Sequence, residues 1–223
     1  MRYRLRDHLA CCRCGDTLVL LDLAADRYFQ MTGPSAVALS DILAHGANAD
    51  HRDRLDHFLR TGLLVADGGG DGNARSAAIA IPTRDVLSQK MPPFALWRTV
   101  QAVVMQRRAE RALSRRPLLD IVTRLAARSR PDAGTAAPGA LARARPIAAA
   151  FVRSGYVIPV ADACLARSLA LIWACHRAHI HPRLVFGVSL APFAAHAWAQ
   201  LGDWVLTGDL DQVRRYTPIL VVP

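Results

Sequence analysis

The chain of 223 residues reads as an α+β protein in two parts. Three observations predict this. Helical patterns run from Phe94 to Ala178, and strand-like runs follow from Arg183 onward. The region before residue 67 has the opposite order, strands and then helices. Between the two lies Asp67-Gly68-Gly69-Gly70-Asp71-Gly72-Asn73, too flexible and polar for an element interior. The expected organisation is therefore a module over 1–67, a linker over 68–78 and a second domain over 79–223.

In the first module, His8–Arg13, Thr17–Leu23 and Arg27–Thr32 form three strand-like runs. They are separated by Cys14-Gly15-Asp16 and by Ala24-Ala25-Asp26. This predicts a three-stranded antiparallel meander. Pro34 suits a first helical position, with Thr32 or Gly33 as cap. Val37, Leu39, Ile42 and Leu43 continue with helical spacing. A second helix covers Asp50–Thr61, with Leu55, Phe58 and Leu59 on one face, and Gly62 ends it. Leu63-Leu64-Val65 reads as a short wing. Strands, helices and a wing describe a winged-helix-like module.

In the second domain, helices are predicted over Phe94–Leu113, Leu118–Arg128, Leu141–Arg153 and Cys164–Ala178. Pro146 weakens the third of them. Residues 129–138 read as a loop. Strands are predicted over Arg183–Leu190, Ala195–Leu201, Trp204–Thr207 and Tyr216–Val222.

The net charge is +10, with a single lysine, Lys90. Such a balance suits an acidic partner. No apolar run is long enough for a membrane span, and MRYRLRDHLACCRCGD lacks the apolar segment of a signal peptide. A cytoplasmic protein without membrane attachment is expected. A winged-helix shape with basic charge raises nucleic-acid binding as one reading. Against it, DHRDRLDHFLRT sets three aspartates among three arginines, which is poor for a phosphate-facing helix. The five cysteines are odd in number, and a disulfide framework is not expected. Cys11, Cys12 and Cys14 lack a second pair for zinc. The cluster His176, His179 and His181 lacks a completing carboxylate or cysteine, so no metal site is expected.

The chemistry points to Cys164. It opens an apolar helix, where free backbone N–H groups and the helix dipole stabilise a thiolate and can hold an oxyanion. Such a thiolate needs an imidazole to exchange its proton with the leaving group. His196 is the candidate, on an alternating run that shares its face with Trp198 and Gln200. The imidazole needs an orienting acceptor, for which Asp209 and Asp211 compete. Cys175 falls on nearly the same helix face as Cys164 but about 16 Å along the axis, so it reads as core.

CLARSLAL, LVFGV, AHAWAQ, VLTGD and YTPI, in that order, resemble the leader peptidase family of lasso-peptide biosynthesis. The resemblance implies a papain- or transglutaminase-like cysteine protease domain that needs no metal and no organic cofactor. It assigns Cys164 as nucleophile, His196 as base and Asp209 as orienting acid. One departure is Gln200, where that family commonly has Glu. The first module, through RYFQMTGPSA and its strand–helix order, is similar to the precursor-recognition element of peptide-modification pathways. It implies that a leader peptide adds as a strand beside Arg27, Tyr28, Phe29, Gln30 and Met31 and packs against the helix bearing Leu55 and Phe58. The implied partners are the precursor peptide and an ATP-dependent, asparagine-synthetase-like macrolactam cyclase. An acyltransferase on the same three residues is the other enzymatic reading.

Overall fold

A computed structural model describes residues 2–67, 79–86, 88, 90–128, 139–157 and 163–223. The expected linker over 68–78, the loop over 129–138 and Asp162 lie outside the described residues. The chain divides into two compact units, residues 1–77 and 78–223.

The first unit holds β1 (Tyr3–Leu5), β2 (Leu9–Cys14), β3 (Thr17–Asp22), β4 (Arg27–Met31), α1 (Gly33–His45), a 3-10 turn (Ala49–His51), α2 (Arg52–Arg60) and β5 (Leu64–Ala66). Strands β2, β3 and β4 form the expected antiparallel meander, with β3 in the centre. The turn between β3 and β4 is built on Asp22, whose buried carboxylate accepts the Ala24 and Ala25 N–H groups and pairs with Arg6 at 2.6 Å. Pro34 lies in the first turn of α1, where its missing N–H costs nothing.

The winged-helix expectation is corrected in one respect. Leu64–Ala66 is no hairpin wing but pairs antiparallel with β1, a strand the sequence reading did not find. Three residues with one buried side chain carry too little alternation to be seen before their partner is known. Leu5, Leu20, Leu39, Ile42 and Leu64 form the core of this unit. Phe58, expected to face a leader peptide, is 3 % exposed and belongs to that core. Leu55, Phe29 and Met31 are partly buried against it, while Arg27 and Gln30 are exposed. Of the apolar face of α2, Phe58 and Leu55 pack into its own unit, while Leu59 is exposed.

The second unit contains β6 (Arg84–Asp85), α3 (Leu96–Arg115), α4 (Leu118–Ala126), α5 (Ala140–Ser154), α6 (Cys164–Arg177), β7 (Arg183–Leu190), β8 (Phe193–Leu201), β9 (Trp204–Val205), α7 (Leu210–Val213) and β10 (Thr217–Val222). The sheet order is β10-β7-β8-β9-β6, antiparallel except for the parallel β6–β9 pair. Helix α6 packs on β8 and β7 and is covered by α3 and α5. Most of its residues are accordingly buried, from Ala166 through Ile172 and again at Cys175. Helix α5 continues through Pro146, which forfeits one backbone bond. Two elements escaped the sequence reading, β6 and α7, and β8 begins two residues earlier than expected. Each is too short, or too near a turn, for periodicity to register.

Gly187 sits in the middle of β7, opposite His196 of β8. A Cβ at this position would lie 2.7 Å from the Trp198 ring and 2.9 Å from Tyr216 Cβ. A glycine inside a strand often marks such a close approach, and here it lets two aromatic side chains close beneath the histidine. Gly187→Ala is expected to lower stability by about 1–3 kcal/mol through overpacking. Urea unfolding measures this, and an unchanged midpoint would mean that the close approach is not maintained.

Candidate active site

Cys164 is the first residue of α6, preceded by Ala163 as N-cap, and no side chain caps this end. The first N–H groups of the helix therefore have no intrahelical acceptor. The thiol is free and half-buried. By contrast, Cys175 is fully buried, and burial pushes its thiol up to about 12. It is a core residue.

Cys164, His196 and Asp209 line one cavity of about 460 Å³. Asp211 is exposed and does not line it. His196 projects from β8, its ring stacked on Tyr216 at 5.1 Å and on Trp198 at 6.2 Å between centroids. Its Nε2 is buried without a hydrogen-bond partner. Burial lowers the His196 pKa below its ordinary value, while the Asp209 charge acts in the opposite direction. The imidazole is thus neutral near pH 7, the form that can accept a thiol proton.

Asp209 is the N-cap of α7, and its Oδ1 accepts the Gln212 N–H at 2.7 Å. It forms no ion pair with His196 within 4.0 Å among the described residues. The three residues are gathered at one cavity with neither hydrogen bond of a Cys-His-Asp relay closed, a spacing common before a substrate is bound. The turn that carries Asp209 is held from two sides. Gly208 takes φ +83°, open to glycine, and the buried Asp85 accepts the Leu210 N–H at 2.9 Å.

Two buried hydroxyls that the sequence reading passed over connect the helix that Cys164 opens to the strand that carries His196. The Ser168 Oγ donates to the Ala197 carbonyl at 3.1 Å. It lies 2.8 Å from the Thr207 Oγ1, which accepts the Ala199 N–H at 2.9 Å. Each hydroxyl has one proton, so Thr207 must donate to Ser168. The bonds form a single chain from Ala199 N–H through both hydroxyls to the Ala197 carbonyl. Ser168 lies four residues after Cys164, on the same helix face. A serine inside an apolar helix, one turn from a candidate nucleophile, was the available signal.

Gln200 also has a defined role. It is 1 % exposed, and its Oε1 accepts the Trp198 Nε1–H at 3.0 Å. Its Nε2 donates to the Ala80 and Gly202 carbonyls at 2.7 and 2.8 Å. A carboxylate could not donate to two carbonyls, so this site requires an amide.

A model of the Transglutaminase-like superfamily matches residues 102–221, more than half of the chain. The chain belongs to the transglutaminase-like superfamily. The matched span includes Cys164, His196 and Asp209. This superfamily is typically enzymatic, with cysteine-protease or acyltransferase chemistry. No curated protein and no solved structure matches the chain. Among the described residues, no group of three or more His, Cys, Asp or Glu could hold a metal ion in this transglutaminase-like protein. No helix among them is long and apolar enough to cross a membrane.

Two outcomes are expected. Ser168→Ala and Thr207→Val should each cost about 1–3 kcal/mol, because each strands a buried polar partner. The double variant should cost clearly less than their sum, since one chain is broken twice. Additive losses by urea unfolding would mean that the two hydroxyls act separately. In an NMR titration, His196 should have its midpoint below 6.5, and Asp209→Asn should move it lower still by removing a charge that favours imidazolium. A rise on Asp209→Asn would contradict the electrostatic coupling.

Proposed function

We propose that this chain is a leader peptidase of a lasso-peptide pathway, acting in the cytoplasm. The observation that carries the reading is the convergence of Cys164, at a helix N-terminus, with His196 and Asp209 on one cavity. The motif order CLARSLAL, LVFGV, AHAWAQ and VLTGD supports the pathway. Cys164 Sγ attacks the carbonyl between leader and core, and His196 takes the thiol proton. The N–H groups opening α6 hold the oxyanion. His196 then protonates the leaving amine, and the core departs with a free N-terminus. Water, deprotonated by the same imidazole, releases the leader as a carboxylic acid. Asp209 orients the imidazole once the turn at Gly208 brings it closer. The freed amine suits an ATP-dependent, asparagine-synthetase-like cyclase that would join it to a side-chain carboxylate.

Leader recognition is assigned to the first unit. Among the described residues, strand β4 pairs with β3 alone, and its outer edge is where a peptide strand would add. Exposed Arg27 and Gln30, with Tyr28, Phe29, Met31 and Leu55 behind them, would flank such a strand. Tethering then raises the local concentration of the scissile bond for Cys164.

In the full chain, Cys164→Ala is expected to abolish cleavage of a lasso-type precursor peptide while retaining its binding. Mass spectrometry reads the cleavage, and fluorescence anisotropy of a labelled leader reads the binding. Residual cleavage by the variant would refute the nucleophile. Equal leader affinity for residues 79–223 and for the full chain would remove the first unit from recognition. A product carrying an added amine in place of water would make the enzyme an acyltransferase.

A further inference from the structure

Arg167 lies one helical turn after Cys164 on α6 and lines the same cavity. It is 9 % exposed. Its Nη2 donates to the Phe151 carbonyl in the last turn of α5. Its Nη1 is buried and has no hydrogen-bond partner. Among the described residues, none of the ion pairs includes this guanidinium. Asp209 lines the cavity too, but its carboxylate is bonded to the Gln212 N–H.

The C-terminal end of α5 accounts for part of this. Its carbonyls carry partial negative charge and favour a cation. A neutral glutamine could donate to the Phe151 carbonyl equally well, without burying a full charge. Arginine stays protonated, and a buried charge with a vacant donor is costly until an anion reaches it.

We propose that Arg167 is a specificity-determining residue that receives the side-chain carboxylate of an Asp or Glu flanking the bond that Cys164 attacks. This rests on Cys164 being the nucleophile. The substrate class is a peptide with an acidic residue beside the scissile carbonyl. The acid satisfies Nη1 and neutralises the guanidinium, so binding and positioning depend on the same contact.

The test uses the full-length, reduced protein and two alkylating probes, iodoacetate and iodoacetamide. In both, the Cys164 thiolate displaces iodide: the S–C bond forms, the C–I bond breaks, and the thiol proton passes to His196 or water. The probes differ only in carrying a carboxylate or a carboxamide. Peptide mass spectrometry gives the rate at Cys164. The iodoacetate-to-iodoacetamide rate ratio is expected to exceed that of the urea-unfolded chain by about tenfold, the worth of one charge-assisted hydrogen bond. Arg167→Gln, which keeps a donor for the Phe151 carbonyl, should return the ratio to the unfolded value. A wild-type ratio at or below the unfolded value overturns the proposal without any variant. A raised ratio that survives Arg167→Gln also overturns it, assigning the preference to the α6 N-terminus. The iodoacetamide rate alone reports on the nucleophile: a Cys164 no faster than in the unfolded chain removes the proposed function, while the ratio still decides Arg167.

Discussion

The hydrogen-bond chain through Ser168 and Thr207 is the joint on which the site depends. Strand β9 ends at Val205, so β8 loses its neighbour just where the histidine is approached. The Ala199 N–H and Ala197 carbonyl point toward that side and would otherwise be buried without partners. Two hydroxyls complete the pairing in place of a strand. One comes from the helix that begins with Cys164, the other from the segment that leads to Asp209. The same bonds that satisfy β8 therefore set the positions of all three candidate catalytic residues. An unpaired buried group costs about 1–3 kcal/mol, so sliding α6 along β8 would be opposed at several points together.

Around this joint, the histidine is placed by shape and tuned by burial. Gly187 leaves room for Trp198 and Tyr216, whose rings stack on His196. The Trp198 N–H would be stranded in this packing, and Gln200 accepts it. Desolvation then keeps the imidazole neutral, while Asp209 offsets part of the shift. Asp85 and Gly208 hold the turn that carries Asp209, and a Cβ at Gly208 would lie 3.6 Å from His196 Nε2.

The first unit follows a different logic. Its core takes Phe58 and the inner sides of Leu55, Phe29 and Met31. The β4 edge keeps two exposed polar residues, Arg27 and Gln30. Main-chain bonds would supply the affinity there, with side chains adding selectivity. In the cavity of the second unit, Arg167 offers one buried positive charge.

The sequence by itself determined the α+β class, the main helices and strands, and Cys164 and His196 as the residues of interest. These rest on local physics: hydrophobic period, turn residues and the electrostatics of a helix start, all carried by neighbours in the chain. The choice of Asp209 over Asp211 at the cavity was left open by spacing alone, because the two lie only two residues apart and the folding of the turn decides which of them lines the cavity. The pairing of β1 with β5 and the burial of Phe58 were hidden for a related reason. Each depends on a partner some sixty residues or a whole layer away, where no local period reports it. The hydrogen bonds of Ser168, Thr207 and Gln200 and the burial of Arg167 were likewise visible only in the tertiary structure. A polar side chain in an apolar run looks the same in sequence whether it is bonded, orphaned or waiting for a ligand, and only the groups packed against it tell these apart.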